Sequence, residues 1–338
     1  LGGKHGAHRD DRDMWPEAAR VVRKLAPRAF MFENVRGLTR PSFAEYFEHV
    51  VLRLAYPEIE SLPDENWIAH RARLKNHQAH GKVDGLHYRV VVSLVDACDF
   101  GVAQHRQRVF VVGFRSDIDV EWSFPIPTHS REALLCSKWI TGDYWEKHRI
   151  SARTRPKPSS KERTGVERLR GLFLPDSKPW ATVRDALIGL PEPSASYDAE
   201  GVLNHRLQLG ARPYAGHTGS ALDEPAKTLK AGDHGVPGGE NMLLNPDGSV
   251  RYFTVRECAR LQTFPDDYFF RGAWGECMRQ LGNAVPIKLG RVVAESIQEA
   301  LANEADTKYP KEPRVCLDAQ TQGRGRRSRS RSTSDRNE

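Results

Sequence analysis

Helical and strand-like patterns alternate along the first 115 residues of the chain. Apolar side chains recur at helical spacing over residues 15–25 and again over residues 42–54, which predicts two amphipathic helices. Residues 28–35, 88–97 and 108–115 are short apolar runs rich in Val and Phe, which are typical of buried strands. The alternation predicts an α/β fold in which the first of these strands is parallel.

The composition changes after residue 115. Residues 116–250 are rich in Pro, Gly and Ser and only weakly periodic, which predicts an irregular insert or a small second domain. Regular patterns return over residues 251–303. Here Thr254, with a glutamate three positions later, predicts a helix start, and residues 287–301 predict a last helix. Residues 304–338 are charged and rich in Ser and Arg, so we expect a disordered basic tail.

Charge and cysteine content limit the kinds of partner and site. A net charge of +7 over 338 residues favours a polyanionic partner, although part of the excess lies in the Arg-rich tail. The 5 cysteines lack any C-x-x-C spacing, which argues against zinc clusters and disulfide frameworks. No apolar run is long enough to span a membrane. We therefore expect a cytoplasmic protein with no metal and no membrane partner.

Five short blocks carry the chemistry that the sequence suggests. Each alone has an ordinary explanation, such as a strand end, a basic loop or a helix-initiating turn. The blocks are residues 11–15 (DRDMW), 33–35 (ENV), 104–108 (QHRQR), 256–265 (RECARLQTFP) and 282–286 (GNAVP). In this order they resemble the DNA cytosine-5 methyltransferase family over residues 10–115 and 251–300. The stretch between corresponds to that family's variable target-recognition region.

The resemblance implies a fold and a cofactor. The expected fold is an incomplete Rossmann-like sheet of the kind that binds S-adenosyl-L-methionine, together with a small irregular target-recognition domain. By resemblance, Met14 contacts the adenine, and Asn283 and Val285 contact the methionine moiety. On the residues alone, Met14 and Trp15 are better explained as ordinary core residues at a helix start.

Glu33 is the expected catalytic carboxyl, at the end of a predicted parallel strand. Attack of a thiolate on carbon 6 of cytosine puts negative charge into the ring. A carboxyl that hydrogen-bonds ring nitrogen 3 and the exocyclic amine stabilises that charge, and burial against a flipped base raises its pKa. Asn34 is expected to order the loop. The alternative is a structural Glu33 paired with an arginine.

Three residues of the QHRQR block alternate along a strand-like segment and are expected to share a face. They are Gln104, Arg106 and Arg108. The family pattern makes Arg108 the residue at the base and Arg106 a phosphate-binding or structural residue; a solvated basic edge is the alternative. Arg256 belongs to the block that supports the recognition region, so its expected role is architectural. Residues 223–232 and the Gly-rich residues 234–241 are expected to approach DNA through their backbone.

Two blocks of the family have no counterpart in this sequence. These are the Gly-rich turn that holds the cofactor and the Pro-Cys loop that supplies the nucleophile, and no cysteine precedes Cys98. Cys258 falls on an apolar helix face, where a core role is expected. We therefore expect a fragment that is inactive alone, and a possible separate N-terminal half as a partner.

Several interpretations of the fragment stay open. A truncated product is our first choice, one subunit of a split enzyme the second, and a DNA-binding module without catalysis the third. Duplex DNA is favoured over RNA because the insert over residues 116–250 is long, whereas the related tRNA methyltransferases have a much reduced recognition region. Either a restriction-modification enzyme or a solitary methylase fits the sequence.

Overall fold

The computed structural model describes residues 13–80, 85–170, 175–196, 198, 201–213, 218–231 and 241–308, with no description of the side chains of residues 305–308. The helices are α1 Trp15–Leu25, α2 Ala44–Ala55, α3 Trp67–His80, α4 Arg131–Trp139, α5 Asp143–Lys147, α6 Ser160–Leu169, α7 Val183–Leu187, α8 Val255–Leu261, α9 Trp274–Asn283 and α10 Ile287–Lys308. The strands are β1 Ala29–Val35, β2 Tyr88–Asp96, β3 Gln107–Arg115, β4 His129–Ser130, β5 Lys178–Pro179, β6 Ser220–Ala221, β7 Met242–Leu244 and β8 Val250–Tyr252. The α/β architecture expected from the sequence is confirmed.

The main sheet has the order β1-β3-β2, and β3 is antiparallel to both neighbours. Among the described strands β1 therefore has only an antiparallel partner, and the parallel pairing expected for it is not found there. A continuous apolar run reports burial on both faces of a strand but says nothing about direction. The connection from Asp96 to Gln107 is a short turn through the 3-10 helix Ala97–Phe100, and so short a connection returns the chain antiparallel.

The central strand β3 is buried along nearly its whole length and sends alternate side chains into two cores. Val109 and Val111 pack with residues of α1 and α2. Phe110 and Val112 face the other way and pack with Leu289 and other residues of α10. This packing fixes the beginning of β3, and with it the QHRQR block, against both layers.

A third core joins the insert to the region that follows it. It contains Val183, Leu243, Phe253, Cys258 and Leu281, among other residues. Cys258 is completely buried in this core, as expected from its position on an apolar helix face. The segment after residue 250 is therefore packed on part of the insert.

The insert contains more regular structure than the sequence suggested, since α4, α5, α6 and α7 all lie within it. These helices are too short for their periodicity to be read reliably. Side-chain caps start three of them, at Ser130, Ser159 and Thr182. Trp145 is 1% exposed and packs with Leu134, which gives α4 and α5 a small core of their own.

Other helix boundaries test the sequence predictions further. Helix α1 has the predicted limits, and the Thr254 cap of α8 is confirmed, with Glu257 completing a reciprocal capping box. Helix α3 was missed because only His70 and Leu74 of its residues are buried. Helix α10 continues to Lys308, past the predicted end and into the expected tail; residues 309–338 lie outside the described residues. Among the described helices, none has the length and hydropathy needed to cross a bilayer.

Candidate active site

Glu33 and Arg108 are brought together at one end of the main sheet. Because β1 and β3 are antiparallel, the last residue of β1, Val35, lies opposite Arg108 near the start of β3. Arg108 Nε lies 2.7 Å from Glu33 Oε1 in an ion pair, and the Arg108 side chain is 9% exposed. The contact joins the two predicted base-site residues, and it also matches the alternative in which Glu33 is paired with an arginine.

The surroundings of Glu33 shift its pKa upward. Burial raises the pKa of the Glu33 carboxyl, and this effect exceeds the opposing attraction of Arg108 and Arg106. Burial also lowers the pKa of the Arg108 guanidinium. A carboxyl with a raised pKa, held beside a guanidinium, can donate a hydrogen bond to a bound base. It can then stabilise negative charge that develops on that base.

Arg106 is completely buried and bonded to the backbone. Its Nη1 donates 3.0 Å to the carbonyl of Leu229, and its Nη2 donates 2.6 Å to the carbonyl of Gly282. Burial lowers the pKa of this guanidinium to about 9. Gln104 is also buried and accepts a hydrogen bond from the Leu229 N–H at 3.0 Å. These contacts support the structural role left open for Arg106, and they place its guanidinium and the Gln104 amide inside the protein.

The loop that follows β1 is ordered by two polar contacts. Asn34 Oδ1 accepts a hydrogen bond of 2.8 Å from the N–H of Val35. Arg36 Nη1 donates 2.6 Å to Gln107 Oε1, which ties the loop to β3. The sequence alone does not predict this second contact, because only the register of β1 against β3 places Arg36 beside Gln107.

The Arg256 side chain is bonded to three backbone carbonyl oxygens. The side chain is completely buried, and its three nitrogens donate to the carbonyl oxygens of Leu203, Pro265 and Tyr268 at 2.9, 3.0 and 2.6 Å. Arg256 therefore holds a segment of the insert against the chain that follows α8.

A family model described as C-5 cytosine-specific DNA methylase matches residues 1–56 and 66–299. The chain belongs to this family. It is 28% identical over 312 residues to the Type II methyltransferase M.SacI of Streptomyces achromogenes, covering 84% of this chain and 63% of the relative. It is 24% identical over 325 residues to M.FnuDI of Fusobacterium nucleatum, covering 94% of this chain and 78% of the relative. The chain thus spans less than two thirds of the length of M.SacI.

A solved structure similar to this methylase is that of the S. pombe Dnmt2 methyltransferase. The TM-score is 0.46 at 18% sequence identity, covering 90% of this chain and 75% of that one.

The cofactor residues expected of this methylase lie at element ends. Met14 precedes α1 and is 64% exposed, so the alternative that it is a core residue is wrong. Trp15 is partly buried and packs edge-on against Phe32. Asn283 is exposed at the end of α9, and Val285 is partly buried against the core of α10. Residues 11 and 12 of the first block lie outside the described residues.

The four cysteines of the methylase that lie in the described residues are unpaired and buried: Cys98, Cys136, Cys258 and Cys277. Burial raises the pKa of each thiol. A nucleophilic cysteine needs an accessible, stabilised thiolate. In the part of the chain that the structure describes, no cysteine therefore has an exposed thiol of lowered pKa.

Proposed function

We propose that this chain forms the cytosine-binding part of an enzyme that methylates carbon 5 of cytosine in duplex DNA. The reaction would use base flipping and covalent attack by a cysteine, with S-adenosyl-L-methionine supplying the methyl group. The Glu33–Arg108 pair carries the proposal, because it combines a carboxyl of raised pKa with a buried guanidinium at the end of β1. The family and the names of its Type II relatives support DNA as the substrate.

Each member of the pair has a distinct task in this proposal. Glu33, whose pKa is raised by burial, would in its protonated form donate a hydrogen bond to ring nitrogen 3 and accept one from the exocyclic amine. This contact strengthens as negative charge enters the ring. Arg108 keeps Glu33 in place through its Nε. Its Nη1 donates to the carbonyl oxygen of Gln107 at 2.8 Å, which leaves Nη2 for the base carbonyl. A water-poor pocket around the flipped base increases both effects.

The cofactor would be held by Met14, Asn283 and Val285. The exposed Met14 side chain offers apolar surface for an aromatic ring, and the exposed Asn283 amide offers a donor and an acceptor for a polar group. These properties fit the adenine and the methionine moiety respectively.

The free edge of β1 supports a further part of the proposal. Among the described strands, β1 pairs only with β3, so its other edge is open, and Met31 on it is 40% exposed. An open edge is a template for another strand. We propose that a segment with the Gly-rich turn and the Pro-Cys loop pairs at this edge, whether it precedes residue 1 in one chain or belongs to a separate chain. The four buried cysteines agree with the need for an outside nucleophile and with a cytoplasmic location.

The main alternative is a DNA-binding module without catalysis. The burial of all the cysteines in the described residues favours it over an active isolated chain. An RNA cytosine-5 methyltransferase is the other alternative, and the long insert favours DNA over it.

Transfer of labelled methyl groups to mixed-sequence duplex DNA tests the proposal. The chain is assayed alone and with an added N-terminal methylase segment that contains the Gly-rich turn and the Pro-Cys loop. We expect transfer only in the mixture, and about a 10²–10⁴-fold loss of turnover in Glu33→Gln, the range typical of a lost proton donor. Glu295→Gln, an exposed pair with Arg291 on α10, is the matched control and should retain full turnover.

The other outcomes separate the alternatives. Transfer by the isolated chain would mean that a nucleophile lies within this sequence. DNA binding without transfer in either assay would leave the DNA-binding module. An equal loss of DNA affinity and turnover in Glu33→Gln would assign Glu33 a structural role.

A further inference from the structure

Three side chains of different chemistry converge beside the turn that joins β2 to β3. Asp96 ends β2, Cys98 lies in the 3-10 helix that follows, and His105 precedes β3. Their ligand atoms all lie within 4.8 Å of one another. His105 Nδ1 is 3.2 Å from Cys98 Sγ and 3.1 Å from Asp96 Oδ2. No role in the methylation chemistry has been assigned above to any of the three.

We propose that Asp96, Cys98 and His105 bind one thiophilic divalent cation of the Zn²⁺ or Co²⁺ type. A thiolate, an imidazole and a carboxylate are the ligands that such ions take in tetrahedral sites. The spacings between the ligand atoms are near those in such a site, where each ligand is about 2.0–2.3 Å from the metal. The proposal is independent of whether the chain methylates DNA.

The hydrogen bonds around the cluster favour a cation over a catalytic Cys-His-Asp relay. A relay uses the two ring nitrogens for different partners, with the acid on one and the nucleophile on the other. Here the thiol and the carboxylate both approach the same nitrogen of His105. One cation between them satisfies all three groups at once.

A second layer of contacts orients the ligands. Asp96 Oδ1 accepts a hydrogen bond of 2.8 Å from the N–H of Arg106, which leaves Oδ2 for the ion. The Trp180 ring stands edge-on to His105 at 4.9 Å, and its Nε1 donates 2.9 Å to Asp99 Oδ1. These contacts hold the carboxylate and the imidazole in place before an ion arrives.

The cluster is also accessible from one side. Cys98 is completely buried, but the His105 side chain is 42% exposed, so an ion can enter there and a water can complete its coordination. Metal binding displaces the proton of the Cys98 thiol, so the affinity for the ion should rise with pH.

Ion binding would stiffen the approach to the active site. His105 is followed directly by Arg106, and β3 then carries Arg108 to Glu33. A cation that joins both ends of the turn fixes the position at which β3 begins. The site has no C-x-x-C spacing, which is why the cysteine pattern predicted no metal.

Titration of the metal-free full chain with Co²⁺ tests the site, since cobalt–thiolate coordination gives a near-ultraviolet charge-transfer band. We expect a band that saturates at one equivalent and is removed by Zn²⁺. Cys98→Ser should abolish it, while Cys136→Ser, which removes another buried thiol, should leave it unchanged. His105→Gln and Asp96→Asn should weaken Co²⁺ binding by at least about 10–100-fold, the loss typical of changes just behind a ligand.

Folding of each variant is checked by circular dichroism. If Cys98→Ser does not fold, the His105→Gln variant decides whether the site exists, because it keeps the Cys98 thiol. Undiminished binding in His105→Gln would overturn the proposal, as would the absence of a band in the wild-type chain or an equal band in folded Cys98→Ser. Zn²⁺ should also raise the melting temperature of the wild-type chain and not that of the ligand variants.

Discussion

Arg106 Nη2 donates a hydrogen bond of 2.6 Å to the carbonyl oxygen of Gly282, 176 residues further along the chain. The bond joins the QHRQR block to the GNAVP block. Arg106 Nη1 donates a second hydrogen bond, to the carbonyl oxygen of Leu229 in the insert. One buried guanidinium therefore links the start of β3, the insert and the end of α9, which are far apart in sequence.

We expect Arg106→Met to destabilise the protein strongly. It leaves two buried carbonyls without their donor, at roughly 1–3 kcal/mol each, partly offset because the guanidinium no longer has to be desolvated. The free energy of unfolding in urea measures the loss. Arg279→Met, which breaks only an exposed pair with Glu276, should change it by less than about 1 kcal/mol. Equal effects of the two changes would contradict the linking role of Arg106.

Gly282 is expected to tolerate no side chain. A Cβ at this position would lie against the backbone N of Ala231 and 2.6 Å from the carbonyl carbon of Lys230. These are backbone atoms, so the clash can be relieved only by a shift of the chain. We expect Gly282→Ala to cost about 1–3 kcal/mol or more, as for other overpacked sites. The melting temperature checks this, with Gly275→Ala on the same helix as control.

Nothing lies within 4 Å of a Cβ added at Gly275, so that change should be neutral or stabilising by up to about 1 kcal/mol. A stable Gly282→Ala protein would show that the insert can move away from α9 without loss.

The alternation of patterns was enough to predict α1, the three long strands and the start of α8, because each has a strong period or a cap of its own. The direction of β3 could not be predicted, since direction depends on the connection and not on the strand's own residues. Glu33 and Arg108 were predicted by resemblance, but their contact depends on the register that places Val35 opposite Arg108. The cluster of Asp96, Cys98 and His105 could not be predicted from sequence spacing. These residues come together only through the conformation of the turn that joins β2 to β3.

The buried histidine pair predicts a loss of stability in acid. His49 Nε2 lies 3.1 Å from His70 Nδ1, and both side chains are buried. Burial, followed by repulsion from His70, Arg53 and Arg71 against weaker attraction from Glu65, lowers the pKa of His49 to about 4. The unfolded chain binds this proton near pH 6.5 and the folded protein only near pH 4. Stability is thus fully present above about 6.5 and decreases as the pH falls toward 4, by roughly 3 kcal/mol.

Urea unfolding at a series of pH values measures this slope. His49→Phe keeps an aromatic ring beside Tyr46 and Trp67 but cannot be protonated, so its slope between pH 4 and 6.5 should be clearly smaller. His70, His129 and His148 also have lowered pKa values and are left unchanged in both proteins. Identical slopes would assign the acid sensitivity to other groups.

Arg108 should control both the turnover of the reconstituted enzyme and its pH profile. Arg108→Ala removes a donor that the proposal places at the base, and the loss of one such donor typically lowers kcat by about 10²–10³-fold. It also removes an attraction that lowers the pKa of Glu33, so this pKa should rise further. If Glu33 acts as an acid, activity falls as the pH rises through its pKa, and that falling limb should move to higher pH in Arg108→Ala.

Single-turnover methyl transfer across pH, with Arg291→Ala on the exposed face of α10 as control, measures both effects. The control should retain the wild-type rate and profile, because its partner Glu295 lies on the same exposed face of α10. A reduced rate with no shift in the falling limb of the pH profile would mean that Arg108 positions the base without acting through Glu33. An unchanged rate would remove Arg108 from the site and leave the 2.7 Å ion pair as a structural contact.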